Sequence, residues 1–175
     1  MPEASVPRHI SAAVVFSTRF GNTEKIAKWF ESGLKQAGVQ TLCENAQVVS
    51  PESLKDYDLI CIGGPTEEFS ASKPMKEFLR STSVVDLGGK LAFAFDTKLD
   101  SPLSGSAARY IEHALDDQGL HVVVSRESAI VTTRRQRGTI TGADLKAGEE
   151  ERFERLGVRV ANAAANAIGQ LSLHP

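Results

Sequence analysis

Apolar runs of β character alternate with amphipathic helical segments along almost the whole chain, and this alternation restricts the possible folds more than any other feature. Residues 12–17 (Ala-Ala-Val-Val-Phe-Ser) form a short run of β-formers. Asn22–Gln36 follow it with Ile26, Trp29, Phe30 and Leu34 at three- and four-residue spacing, which predicts a helix with one apolar stripe. Gln40–Glu44 can form a second strand, and Ser50-Pro51-Glu52 has the cap, first-turn proline and first-turn acid of a short helix. Tyr57–Gly64 is a continuous apolar run, as expected for a parallel strand covered on both faces. A helix from Ser72-Lys73-Pro74 through Leu79, a strand at Lys90–Phe95, a helix at Ser106–Gln118 and a fifth strand at His121–Ser125 continue the pattern. The last helix, Glu149–Ile168, turns Phe153, Leu156, Val160 and Ala163–Ala164 inward. Such βαβ units imply five parallel strands, right-handed crossovers and helices on both faces, a three-layer sandwich. Ligands of these sheets lie outside the carboxyl ends of the strands, here Ser17–Thr23, Asn45–Val48, Pro65–Ser70, Asp96–Ser101 and the stretch after Ser125.

With 175 residues, one domain is expected, its core spanning about 11–168 between flexible ends at 1–9 and 170–175. The net charge of −2 provides no general attraction for nucleic acid or an anionic membrane. No apolar run reaches the ~18–20 residues of a membrane span, and Met-Pro-Glu-Ala-Ser lacks the layout of a secretion signal, so a cytoplasmic protein is expected. Cys43 and Cys61 lie in β-type runs without metal or redox spacing and are expected to be buried strand residues. No GxSxG occurs, and His9, His113, His121 and His174 fall at the termini or within helix and strand runs, which argues against a serine hydrolase. Ser17-Thr18 and Gly64-Pro65 stand where a phosphoacceptor receiver domain needs acids.

The turn between the first strand and first helix carries the chemistry. Ser17, Thr18, Arg19, Phe20, Gly21, Asn22 and Thr23 combine three hydroxyls, an amide, a glycine and the free N–H groups of a helix start, the parts of a phosphate site. The simpler alternative is that Asn22 only caps the helix. The turn lacks the spacing GxxxxGK[ST], and no GxGxxG follows a strand.

Phe16–Ala27 (Phe-Ser-Thr-Arg-Phe-Gly-Asn-Thr-Glu-Lys-Ile-Ala) resembles the FMN-phosphate motif of the flavodoxin family. Tyr57–Ile60 through Gly64-Pro65-Thr66, then Ser72–Leu79, Phe95-Asp96-Thr97 and Gly105–Ala108 are similar to later parts of the family pattern, and the likeness runs from about residue 11 to 166. The resemblance implies a flavodoxin-like strand order 2-1-3-4-5 with FMN as cofactor. It implies that Ser17–Thr23 take the phosphate, that a loop containing Pro65, Thr66, Glu67, Glu68 and Phe69 lies beside the isoalloxazine edge, and that Asp96, Thr97 and Lys98 contact its other side. Phe69 can stack on the ring or pack under its loop. Glu67 and Glu68 are either exposed turn carboxylates or tune the flavin electrostatically. The implied function is electron transfer between proteins or to a small acceptor. The alternatives are an NAD(P)H-dependent quinone or flavin reductase, or a module that has lost FMN and serves as a binding partner. Arg126–Lys146 can form a hairpin whose Arg134, Arg135 and Arg137 make a solvated turn or dock an acidic partner.

Overall fold

The computed structural model describes residues 9–172. The expected flexible ends fall largely outside the described residues, as does His174. In chain order the elements are β1 (Ser11–Phe16), α1 (Asn22–Gln36), β2 (Gln40–Asn45), a 3-10 turn at Pro51–Asp56, β3 (Leu59–Glu67), β4 (Ser70–Ala71), α2 (Lys73–Thr82), β5 (Leu91–Leu99), α3 (Ala107–Asp117), β6 (His121–Val122), β7 (Glu127–Gln136), β8 (Thr139–Leu145) and α4 (Glu149–Leu171).

The sheet runs β2-β1-β3-β5-β7-β8, with β4 added to β3 and β6 to β5. Pairings from β2 to β7 are parallel, so the expected 2-1-3-4-5 order holds for the central strands. Alternate residues of the central strands serve two cores. Val14, Phe16, Cys61, Phe93 and Phe95 face α1 and α4, and Val15, Ile60, Ile62, Ala92 and Ala94 face α2 and α3. In the first core Phe30, Phe93, Phe95 and Phe153 form a cluster with neighbouring centroids 5.2–6.2 Å apart. Burying each such ring contributes roughly 1.5–3 kcal/mol.

Helices α1 and α4 meet backbone to backbone. A Cβ on Gly33 would lie 1.9 Å from the carbonyl oxygen of Glu154, and one on Gly157 would lie 2.2 Å from that of Phe30. Arg152 fastens the start of α4 to β7 through Glu149 at 2.7 Å, Glu127 at 3.1 Å and the carbonyl of Ser128.

Five expectations need correction. The sheet has eight strands rather than five, because the short β4 pairs with β3, the fifth strand is split into β6 and β7, and β8 adds an antiparallel edge. The third and fourth strands also run past the carboxyl edge of the parallel sheet. There β3 and β5 still pair at Gly64–Asp96 and Pro65–Thr97, so Pro65–Glu67 and Asp96–Leu99 are strand instead of loop. The fifth strand is interrupted: β6 pairs with Leu91–Ala92, β7 resumes at Phe95, and residues 123–126 span the gap opposite only 93–94. The two extra residues cannot stay in register, and the chain loops out to Glu112, which accepts the Arg126 N–H at 2.8 Å. The hairpin expected around 131–141 is longer, with β8 returning antiparallel from a two-residue turn in which Arg137 (φ 49) and Gly138 (φ 82) are both left-handed. Cys61 is buried as expected, but Cys43 is only half-buried because β2 is an edge strand.

Candidate functional site

β1 delivers Ser17 to the carboxyl edge, where its N–H donates to the carbonyl of Gly63 at 3.0 Å and its hydroxyl pairs with that of Ser72 at 3.3 Å. The chain then turns sharply. Thr18 Oγ1 accepts the N–H of Gly21 at 2.9 Å, and Gly21 adopts φ +86, a left-handed conformation costing any L side chain roughly 1–2 kcal/mol. A Cβ at Gly21 would meet nothing within 4 Å, so the space beside the turn is open. Arg19 lies over the ring of Phe20 at 4.9 Å, both exposed.

The start of α1 is uncapped by any side chain. Lys25 is the first helical residue to bond backward, to the carbonyl of Gly21 at 3.1 Å. The N–H groups of Asn22, Thr23 and Glu24 have no intrahelical acceptor and meet no other among the described residues. Asn22 does not cap the helix; its Nδ2 reaches across to donate to the carbonyl of Ala143 in β8 at 2.7 Å. Thr23, almost fully buried, shares a hydroxyl–hydroxyl bond of 3.0 Å with Thr97. Such a pair consumes one of its two protons and leaves the other to donate elsewhere.

Two cavities flank the turn, and both are bordered by Thr18, Arg19 and Pro65. The larger, about 500 Å³, is closed by Asn45–Gln47, Glu67, Ser72 and Phe78, and it falls in the ~300–1,000 Å³ range of small-molecule sites. The smaller, about 120 Å³, lies under Phe20, Thr23, Thr66 and Thr97 and is roofed by Val131, Thr133 and Ile140 of the hairpin.

The remaining candidate residues are divided among different places. Thr66 joins Thr97 in the smaller cavity, and Glu67 borders the larger one. Glu68 (φ 47) and Phe69 (φ 68) form the left-handed turn between β3 and β4; Phe69 is 72% exposed and is not packed beneath its own loop. Glu67 and Glu68 share a concavity with Lys73, Lys76 and Arg80 of α2. Asp96 is fully buried and borders neither cavity beside the turn. Its Oδ2 accepts from Ser106 Oγ and the Ala108 N–H, each at 2.8 Å, and from Thr66 Oγ1 at 3.1 Å, while Oδ1 has no partner among the described residues. Lys98 faces a separate groove beside α3.

Sequence reasoning placed Asn45–Val48 among the strand ends open to a ligand, and Asn45–Gln47 border the larger cavity, but it missed the part played by Ser72 and the hairpin residues. The alternation in Val131–Thr133 and Thr139–Thr141 signals the hairpin strands but not the turn they cover.

Thiol chemistry does not contribute to this region. Burial, reinforced by Glu31, pushes the Cys43 thiol up to about 12, and burial raises Cys61 well above its ordinary value. Among the described residues no three His, Cys, Asp or Glu side chains gather as a metal site.

A family model described as a flavodoxin domain matches residues 13–123, more than half of the chain. The chain belongs to the flavodoxin family. It is 29% identical over 153 residues to a flavodoxin from Clostridium saccharobutylicum, an alignment covering 86% of this chain and 94% of that protein. It is 28% identical over 131 residues to an NAD(P)H dehydrogenase (quinone) from Archaeoglobus fulgidus, covering 58% and 68%. In fold it matches a flavodoxin from the domain Archaea with a TM-score of 0.71 at 21% identity, over 89% of this chain and 99% of the other.

Flavodoxin-family proteins bind FMN and transfer electrons, and this member's cofactor is FMN. The residues present fit its phosphate: three free N–H groups at the positive end of α1, a left-handed glycine beside open space, and an adjoining cavity large enough for a ligand.

Proposed function

We propose that this flavodoxin-family chain holds the FMN phosphate on the Ser17–Thr23 turn and acts in the cytoplasm as a single-domain electron carrier, serving a partner protein or a small acceptor. The observation that carries this reading is the uncapped start of α1, whose first three N–H groups have no acceptor among the described residues. FMN supplies the reversible uptake of one or two electrons. The chain's own residues bind and orient it. Backbone N–H groups and the Thr18 hydroxyl proton serve the phosphate, and Arg19 adds a cation at the edge of both cavities. Thr97 sets the orientation of the Thr23 hydroxyl, and Ser72 sets that of Ser17. Pro65, Thr66 and Glu67 wall the space into which the rest of the cofactor extends. Asp96 acts from beneath, holding Thr66 and the start of α3 in place.

The test is the absorbance spectrum of the purified protein, followed by FMN and riboflavin titrations of the apoprotein. A yellow protein preferring FMN supports the reading. A colourless protein that binds neither flavin would instead identify a module that has lost its cofactor.

A second reading, NAD(P)H-dependent quinone reduction, draws on the likeness to the Archaeoglobus fulgidus protein. Oxidation of NADH or NADPH with a quinone as acceptor separates a reductase from a carrier.

The hairpin offers a docking surface for an acidic partner. Arg134 is already paired with Asp144 at 2.8 Å, whereas Arg135 and Arg137 form no ion pair among the described residues. Replacing Arg135 and Arg137 with Gln should therefore remove most of the salt dependence of partner reduction. Unchanged turnover and salt dependence would reduce the hairpin tip to a solvated turn.

A further inference from the structure

A third concavity, about 670 Å³, lies between α3, the end of β5 and the Glu68–Phe69 turn, and it shares no lining residue with the two cavities beside the β1–α1 turn. Strand alternation creates one wall. Thr97 points toward Thr23 on the α1 side, so Lys98 points to the opposite face, beside α3. Arg109 and Tyr110 come from the exposed face of α3. Arg126 arrives from the interruption in the fifth strand, held to Glu112 at 2.7 Å. Phe69 closes the outer end with its ring largely in solvent. Its backbone lies so close to residue 105 that a Cβ there would come within 2.1 Å of the Phe69 carbonyl oxygen, which fixes the turn in place.

The charges of this groove are unbalanced. Lys98, Arg109 and Arg126 line it, against the single carboxylate of Asp117. Glu112 answers Arg126, but Lys98 and Arg109 form no ion pair among the described residues, although Lys98 is half-buried. A half-buried ammonium and a free guanidinium facing one concavity attract an anion, and exposed Phe69 offers apolar ring surface to whatever carries it, whereas the Tyr110 ring already has the Lys76 ammonium over it at 5.2 Å. The volume suits a small molecule.

We propose that this groove binds aromatic anions, a planar ring system bearing a carboxylate, sulfonate or phosphate, with the ring against Phe69 and the anionic group between Lys98 and Arg109. The claim concerns binding alone.

The probe is anthraquinone-2-sulfonate, titrated into the holoprotein by calorimetry and by amide NMR. Neutral 2-(hydroxymethyl)anthraquinone and ring-free methanesulfonate run in parallel. The sulfonated ring should bind at least about tenfold more tightly than either comparator, weaken as salt rises from about 50 to about 500 mM, and shift amides of Phe69, Lys98 and Arg109. Lys98→Gln combined with Arg109→Gln should erase the preference for the sulfonate while leaving thermal stability unchanged, since neither side chain forms an ion pair among the described residues. Equal binding of the neutral ring, shifts confined to other surfaces, or unaltered affinity in the double variant would each overturn the proposal. Methanesulfonate binding as tightly as the aromatic sulfonate would mark an adventitious ion only.

Discussion

Thr23→Val tests the phosphate turn most directly, because it removes one hydroxyl and keeps the side-chain shape. In the folded protein Thr23 Oγ1 lies 3.0 Å from Thr97 Oγ1, and both residues are nearly inaccessible to water. The pair has two protons and one mutual bond, so one proton is left for a ligand acceptor. If Thr97 donates to Thr23, the spare proton is on Thr23 and is directed to the phosphate. A hydrogen bond to a charged acceptor is worth about 1.5–3 kcal/mol, so Thr23→Val should weaken FMN binding roughly ten- to hundredfold. Riboflavin lacks the phosphate and should lose at most about threefold. Fluorescence quenching of each flavin by the apoprotein gives both constants on the same preparation. Thr97→Val, which leaves the Thr23 hydroxyl in place but unoriented, should cost FMN less than Thr23→Val. Equal losses for FMN and riboflavin, or a greater loss in Thr97→Val, would refute the assignment of the spare proton to the phosphate.

Gly33→Ala should lower stability by roughly 1–3 kcal/mol in a denaturant melt, since its methyl would overlap the Glu154 carbonyl; helix propensity alone predicts the opposite sign, by about 1 kcal/mol. Replacing Glu67 and Glu68 with Gln should raise the reduction potential of bound FMN, measured by redox titration at low salt. Lys73, Lys76 and Arg80 share their concavity and limit the rise to roughly a few tens of millivolts, and no change would show that both carboxylates act only on solvent. Cys43 should react with a disulfide reagent only slowly at pH 8, and its rate should climb about tenfold per pH unit toward about 12. Because its folded value is raised, the protonated thiol favours the folded state, and this contribution declines between the unfolded value near ~8.5 and about 12.

The helices were readable because their apolar spacing and caps are local: α1 falls at Asn22–Gln36 as the periodicity requires. Strand ends were less readable. Pro65 and Asp96 look like loop residues in sequence, yet cross-strand pairing carries β3 and β5 beyond them, and pairing is a property of two segments rather than one. The same limit applies to the site. The glycine and hydroxyls of the β1–α1 turn were visible locally. Bonds from Asn22 to Ala143, Thr23 to Thr97 and Ser17 to Ser72 join segments between 55 and 121 residues apart, and no local pattern encodes them. Asp96 is the clearest case, a conspicuous polar residue at a strand end whose carboxylate turns inward to α3 instead of outward to a ligand.

The bond between Asn22 and Ala143 also bears on the order in which the protein assembles. During synthesis the β1–α1 turn emerges early, but its Asn22 amide finds its acceptor only after another 121 residues have been made and β8 has paired with β7. Helix α1 likewise waits for Gly157 of α4 before its buried face is complete. A nascent chain stalled after β5 thus has the whole β1–α1 turn with Ser72 and Thr97 beside it, but not the late contact from Asn22 to Ala143. Truncations ahead of residue 143 should therefore yield protein whose β1–α1 turn lacks this tie, which a flavin titration of each truncation checks.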